Sequence, residues 1–236
     1  MRARSGTFTI RVERLDHESL VLDGLALARG FFRDDPSSVD EGAFDAAAGL
    51  GNAGRIELAD VIAMNRTMRA RSPHKAWTAI VDVDAPWLIA LPADLDLLEA
   101  DDKHWRDASG DDLVSAALAA TIGPGRGMAV ATKLLHLKRP RLFPMLDRLV
   151  AEMLGLGAPN ESTVEQRVDT AIRLTQTIRA EGRRNLDALR NIRDELAPEG
   201  TQRSLIRLFD AILWFAHPAA GVRGAPRTIE VRLRDD

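Results

Sequence analysis

Between two helical runs the chain carries Gly123-Pro124-Gly125-Arg126-Gly127, the stretch that most restricts how it can fold. Asp111–Ile122 reads as a helix with acids in its first turn, where the helix dipole favours them. Met128–Leu137 reads as a second helix, stopped by Pro140. A third, Pro144–Leu154, starts beside a lone carboxylate, Asp147, with Pro144 at the first-turn position where its missing N–H costs nothing. The turn must reverse the chain within five residues. Two glycines one residue apart let the backbone approach a ligand with no Cβ in the way. The amides that follow open a helix, and such an end favours an anion.

The rest of the pattern is mostly helical. Thr7–Val12 and Thr228–Leu233 alternate with period two, as half-buried strands do. Each is the other's obvious partner, so the termini are expected to pair as a small β-ribbon. Between them, Ser19–Arg33 reads as helix, as does a short piece around Glu41–Ala48. Glu57–Arg69 is well patterned, with Leu58, Val61, Ile62, Asn65 and Met68 on one face. The segment around His104 and Trp105 reads as an acid-rich loop. Ser162–Ala180, Arg183–Leu196 and Gln202–Ala216 are three long helices, the first opened by a Ser162/Glu165 capping box. The expected fold is mainly α: an orthogonal helical array with one helix–turn–helix corner and a terminal ribbon. The glycine-rich step at 155–160 is the one internal joint. A single domain over 1–236 and a division into 1–156 and 157–236 are both compatible with it.

Composition narrows the chemistry. With 236 residues, 45% of them hydrophobic, the chain can bury a substantial core. Without cysteine it has no disulfide, thiolate metal site or cysteine nucleophile. Its five histidines lack metal-binding spacing, so no zinc site is expected. No long apolar run suggests a signal peptide or a membrane helix, and a cytoplasmic protein is expected. Richness in Ala, Arg, Asp and Leu with little Lys is the signature of a GC-rich bacterial genome. The net charge of −3 argues neither for nor against nucleic acid, but the charge is unevenly placed. Residues 82–112 hold ten acids and two bases. Residues 126–148 hold Arg126, Lys133, Lys138, Arg139, Arg141 and Arg148 against Asp147 alone. A positive face beside the glycine turn would suit phosphate, and a solvated helix face would explain the same charges.

Pro124-Gly125-x-Gly127 followed by Ala131 and Leu134 resembles the hairpin of the helix–hairpin–helix DNA-binding motif. Phe143-Pro144-x-x-Asp147 resembles the continuation found in the helix–hairpin–helix DNA glycosylase superfamily, of which the chain would be a divergent branch. The resemblance covers residues 111–156, about a fifth of the chain. It implies double-stranded DNA as partner, with phosphate held at Gly125, Arg126, Gly127 and Met128 and flanked by Lys133, Lys138, Arg139 and Arg141. It admits a monovalent cation at the hairpin backbone and implies no other metal and no cofactor. It places Asp147 where the family's catalytic aspartate stabilises positive charge on the sugar as a base departs.

The sequence also departs from that pattern. Arg126 replaces a hydrophobic residue and Gly123 an aliphatic one. Two residues separate Pro144 from Asp147 where the family has one, which turns Asp147 by about 100° around its helix. Ala129 stands where lyase-type members carry a nucleophilic lysine, so an enzyme would be a monofunctional glycosylase. Trp77 and Trp105 are the candidate walls of a base pocket, because base flippers sandwich the extruded base between aromatic rings. Two readings stay open: monofunctional excision of a damaged base, or a non-catalytic DNA-binding or protein-interaction module on the same scaffold. Asp147 could equally be a first-turn dipole partner, and His136 is a packing residue before it is a catalyst.

Overall fold

The computed structural model describes residues 8–34, 41–68, 70, 72–156, 163–200, 203–220 and 229–233. Strand β1, Thr9–Glu13, buries Ile10 and Val12 and exposes the residues between them. A tight turn with His17 at φ 67° leads into β2, Glu18–Asp23. The pair is antiparallel, with Ile10 opposite Leu22 and Val12 opposite Leu20. This corrects the expected helix from Ser19: the chain is a strand to Asp23, and α1, Gly24–Asp34, follows without a break. Gly24 makes that switch possible, since a Cβ there would lie 2.7 Å from the Ile10 and Ile192 side chains.

The C-terminal strand β3, Ile229–Leu233, pairs with the other edge of β2, Leu20 opposite Val231. The sheet order is β1-β2-β3. The two terminal strands therefore share a sheet but do not pair with each other. The short 14–17 loop brings β2 to β1 at far lower closure entropy than a partner two hundred residues away.

Helices fill the rest. They are α2 (Glu41–Ala47), α3 (Leu58–Thr67), α4 (Pro86–Ile89), α5 (Asp102–Asp107), α6 (Gly110–Thr121) and α7 (Met128–Lys138). Then come α8 (Arg148–Met153), α9 (Val164–Arg184), α10 (Leu186–Leu196) and α11 (Leu205–Ala216). The expected loop around His104 is instead helix α5, because the Asp101 carboxylate accepts from the His104 amide at 2.7 Å and caps it. Helix α9 opens on a Thr163/Gln166 capping box; Ser162, expected in that role, lies outside the described residues. Pro144 does not begin α8, which starts after Asp147. Helix α11 is buried on nearly every side, its Arg207 and Asp210 included, and packs against α1, α8 and α10. One continuous apolar core runs through Ile10, Phe31, Met64, Leu135, Ile192 and Phe209.

The outer edge of β1 is closed by side chains. Asn185 accepts from the Arg11 amide at 2.8 Å and donates to the Arg11 carbonyl at 2.6 Å, as a neighbouring strand would. Glu181 accepts from the Glu13 amide at 2.9 Å. An edge covered in this way offers no template for another chain.

Candidate nucleic-acid interface

The glycine turn is a β-turn in which Gly123 and Arg126 exchange both backbone hydrogen bonds, at 3.0 and 2.9 Å. Pro124 and Gly125 form its tip, and Gly125 takes φ +71°, the type II pattern. Gly123 packs against the Arg126 side chain, whose guanidinium would lie 2.5 Å from a Cβ there. Gly127 is different. Its φ of −68° suits any residue, and a Cβ there would meet nothing within 4 Å. It is the N-cap of α7 yet offers no capping side chain. The amides of Val130 and Ala131 donate to its carbonyl, while those of Met128 and Ala129 find no acceptor among the described residues.

Arg126 folds back under the turn. Its Nε donates to the Thr121 carbonyl at 2.8 Å, and Nη1 donates to the Ala76 carbonyl. Its guanidinium lies 5.8 Å from the centre of the Trp77 ring, and burial lowers its pKa. Among the described residues it has no acidic partner, so its charge stands beside the turn unneutralised. Ala76 also touches the turn, 3.0 Å from a Cβ placed on Gly125, and carries exposed His74 and Lys75 with it. No acid occurs in residues 113–146 or 70–81.

The other expected phosphate ligands divide. Lys133 is half-buried on α7. Lys138 is buried in an ion pair with Asp60 and donates to the Asn52 carbonyl. Arg139 is buried too, donating to the Lys138 and Leu88 carbonyls at 3.0 and 3.1 Å. Arg141 pairs with Asp96 at 2.9 Å and Glu99 at 3.5 Å. These three are corrections: the charges of Lys138 and Arg139 are engaged inside the protein, and Arg141, though half-exposed, is held by two carboxylates at a separate cleft rather than at the turn. Their positive run in sequence does not become a positive face, because helix α7 turns Lys138 inward and Arg139 closes the helix end.

Asp147 is the N-cap of α8, its Oδ1 accepting from the Val150 amide at 3.0 Å, with the Arg148–Glu152 pair alongside. Thr132 on α7 accepts from the Leu146 amide at 3.0 Å and so fixes the lead-in to that cap. The two aromatic pocket candidates are also corrections. Trp77 is fully buried, with its N–H on Ser72 Oγ at 2.8 Å. Trp105 is 5% exposed beneath Arg179, beside a crevice of about 10 Å³, no more than one water needs.

The largest cluster of buried charge lies elsewhere and was not anticipated from the sequence. A cleft of about 380 Å³ opens between α2, the C-terminal end of α7 and the start of α11. Arg207 sits at its base, within 3.0 Å of Asp45 and 2.8 Å of Asp210. Arg203 pairs with the same Asp45. Burial pushes the Asp210 carboxyl up to about 7 despite Arg207. His136 lines the cleft with its ring stacked on Phe44, and burial, helped by Arg207, lowers its pKa to about 4. Its residues come from distant segments, so no spacing in the sequence marks them. Among the described residues no group of three or more His, Asp or Glu could hold a metal. Nor is any helix there long and apolar enough to cross a membrane.

One family model matches the chain over residues 25–217, that of DUF6308, a family of unknown function. The matched region holds α1 through α11 and leaves out the three strands. No curated protein and no solved structure matches.

Proposed function

We propose that this chain, which belongs to the DUF6308 family, is a non-catalytic module that binds the phosphate backbone of double-stranded DNA at the α6–α7 turn. Gly127 carries this reading. Gly125 is required by its positive φ, but among the described residues nothing lies within 4 Å of a Cβ on Gly127. A serine or aspartate there would cap α7 better. What its bare Cα leaves open is the approach to the Met128 and Ala129 amides at a helix N-terminus, a natural phosphate seat. The two segments that meet at the turn, 70–81 and 113–146, carry no acid, and with Arg126, Lys75 and His74 they favour the same ligand. The non-catalytic half rests on Asp147, whose carboxylate caps α8, and on Trp77 and Trp105, which are packed in the core.

The test is duplex binding by fluorescence anisotropy. The parent should bind in the micromolar range or weaker, as non-specific phosphate contact does. Gly127→Glu should lose at least tenfold in affinity with its melting temperature unchanged, since the side chain has room and the backbone is ordinary. Equal binding by parent and variant contradicts the proposal. Alkali-dependent strand scission on duplexes that each carry one modified base would restore the glycosylase reading.

A further inference from the structure

We propose that the cleft between α2, the end of α7 and the start of α11 binds a phosphorylated, hydroxyl-bearing small molecule of the sugar phosphate or nucleotide class. Four arginines line it, Arg141, Arg193, Arg203 and Arg207, against three carboxylates, Asp45, Asp96 and Glu99. Arg203 and Arg207 share Asp45 at the base. Arg141 and Arg193 have side chains 51% and 36% exposed, so they are placed to meet a ligand entering from solvent. Guanidinium groups are the side chains best matched to phosphate oxygens.

Helix α11 starts in the same cleft. Ser204 Oγ donates to the Pro140 carbonyl at 2.7 Å and accepts from the Arg207 amide at 3.3 Å. The amides of Leu205 and Ile206 find no acceptor among the described residues, though both residues are buried. The positive end of the helix and the exposed guanidinium groups of Arg141 and Arg193 therefore face one volume. Each arginine of the cleft has a carboxylate partner, Asp194 for Arg193 and Asp210 as well as Asp45 for Arg207, and a phosphate would bind by sharing these pairs.

His136 points to a ligand independently. It is 1% exposed, and it lines this cleft. Its Nδ1 lies 2.7 Å from the Phe143 carbonyl oxygen. A carbonyl only accepts, so Nδ1 carries the hydrogen and Nε2 the lone pair. Nε2 has no protein partner among the described residues. His136 lines the cleft with this nitrogen still to be satisfied, and a neutral imidazole acceptor is satisfied by a hydroxyl. Inorganic phosphate carries hydroxyl only on the charged phosphorus itself; a phosphomonoester on a sugar brings hydroxyls set apart from the charge, so that one group can meet the arginines while another meets Nε2. The site is separate from the DNA-binding turn: His136 is nine residues beyond Gly127, about 13 Å along the same helix.

Calorimetric titration of the full chain at constant ionic strength tests this, with ribose 5-phosphate, inorganic phosphate and ribose as probes. Ribose 5-phosphate should bind saturably and at least tenfold more tightly than phosphate, and ribose alone should give no heat. The 15N resonance of His136 Nε2 should move on binding. An Arg141→Gln/Arg193→Gln double variant should weaken binding at least tenfold while keeping the parent's circular dichroism spectrum; some fall in melting temperature is expected, because Arg141 also neutralises the buried Asp96. Gly127→Glu should leave it unchanged, which separates this site from the duplex-binding proposal. Phosphate binding as well as ribose 5-phosphate, an unmoved His136 resonance, or a double variant that binds like the parent would each overturn the inference.

Discussion

Asp210 and His136 take opposite protons from solution. Burial holds the His136 pKa near 4, below the usual 6.5, so between those values the unfolded chain binds a proton that the folded one does not. That contribution makes stability rise with pH across the window. Burial raises Asp210 from 3.8 to about 7, so there the folded state holds the extra proton and stability falls as pH rises. In the parent the two offset between pH 4 and 6.5. Asp210→Asn removes the second and keeps an oxygen to accept from the Met145 amide, now 3.0 Å from the carboxylate. Its melting temperature should climb more steeply from pH 4 to 6.5 than the parent's; parallel profiles would contradict the assignment. Asp147 behaves as a cap in the same account. Asp147→Ala should cost about 1 kcal/mol, the usual loss of an N-cap, and Asp147→Asn almost nothing. Thermal melts of both variants check it.

Among the elements, the sheet depends on helix side chains as much as on strands. Asn185→Ala leaves both backbone groups of Arg11 without partners at the β1 edge and should cost about 1–3 kcal/mol, read as a fall in melting temperature. Deleting residues 228–236 should bare the β2 edge and bring aggregation, followed by light scattering. The long helices were legible because their apolar residues recur at the helical period, as in α10, where Ala188, Leu189, Ile192 and Leu196 are buried. The face read on Glu57–Arg69 is different in the structure, with Val61 and Met64 buried and Leu58 and Ile62 exposed. Strand β2 was not, because its alternation at Leu20 and Leu22 runs into the helical Leu25 and Leu27 with only Asp23 and Gly24 between. Two periods merged read as one irregular helix. The glycine turn was legible since turn chemistry is local. The arginine cleft was not: Asp45, His136, Arg203 and Arg207 meet only through the packing of α2, α7 and α11, and a buried arginine looks like a surface one in sequence. The same blindness made Lys138 and Arg139 look like phosphate ligands.

For the whole molecule, a net charge of −3 gives no general attraction to DNA. Any duplex affinity must come from the acid-free segments that meet at the turn, where few phosphates can be reached at once. Of the ten acids of residues 82–112, Asp96 and Glu99 hold Arg141, and Asp102 holds Arg179 at 3.2 Å. Binding should therefore be weak, independent of base sequence and strongly salt-dependent. The most direct test is the slope of log affinity against log salt for a plain duplex. Two to four phosphates predict a slope of about −2 to −4, steeper for the parent than for a Lys75→Ala/Arg126→Ala variant. A slope near zero, or one that the variant leaves unchanged, would contradict the reading of this turn as a phosphate-binding site.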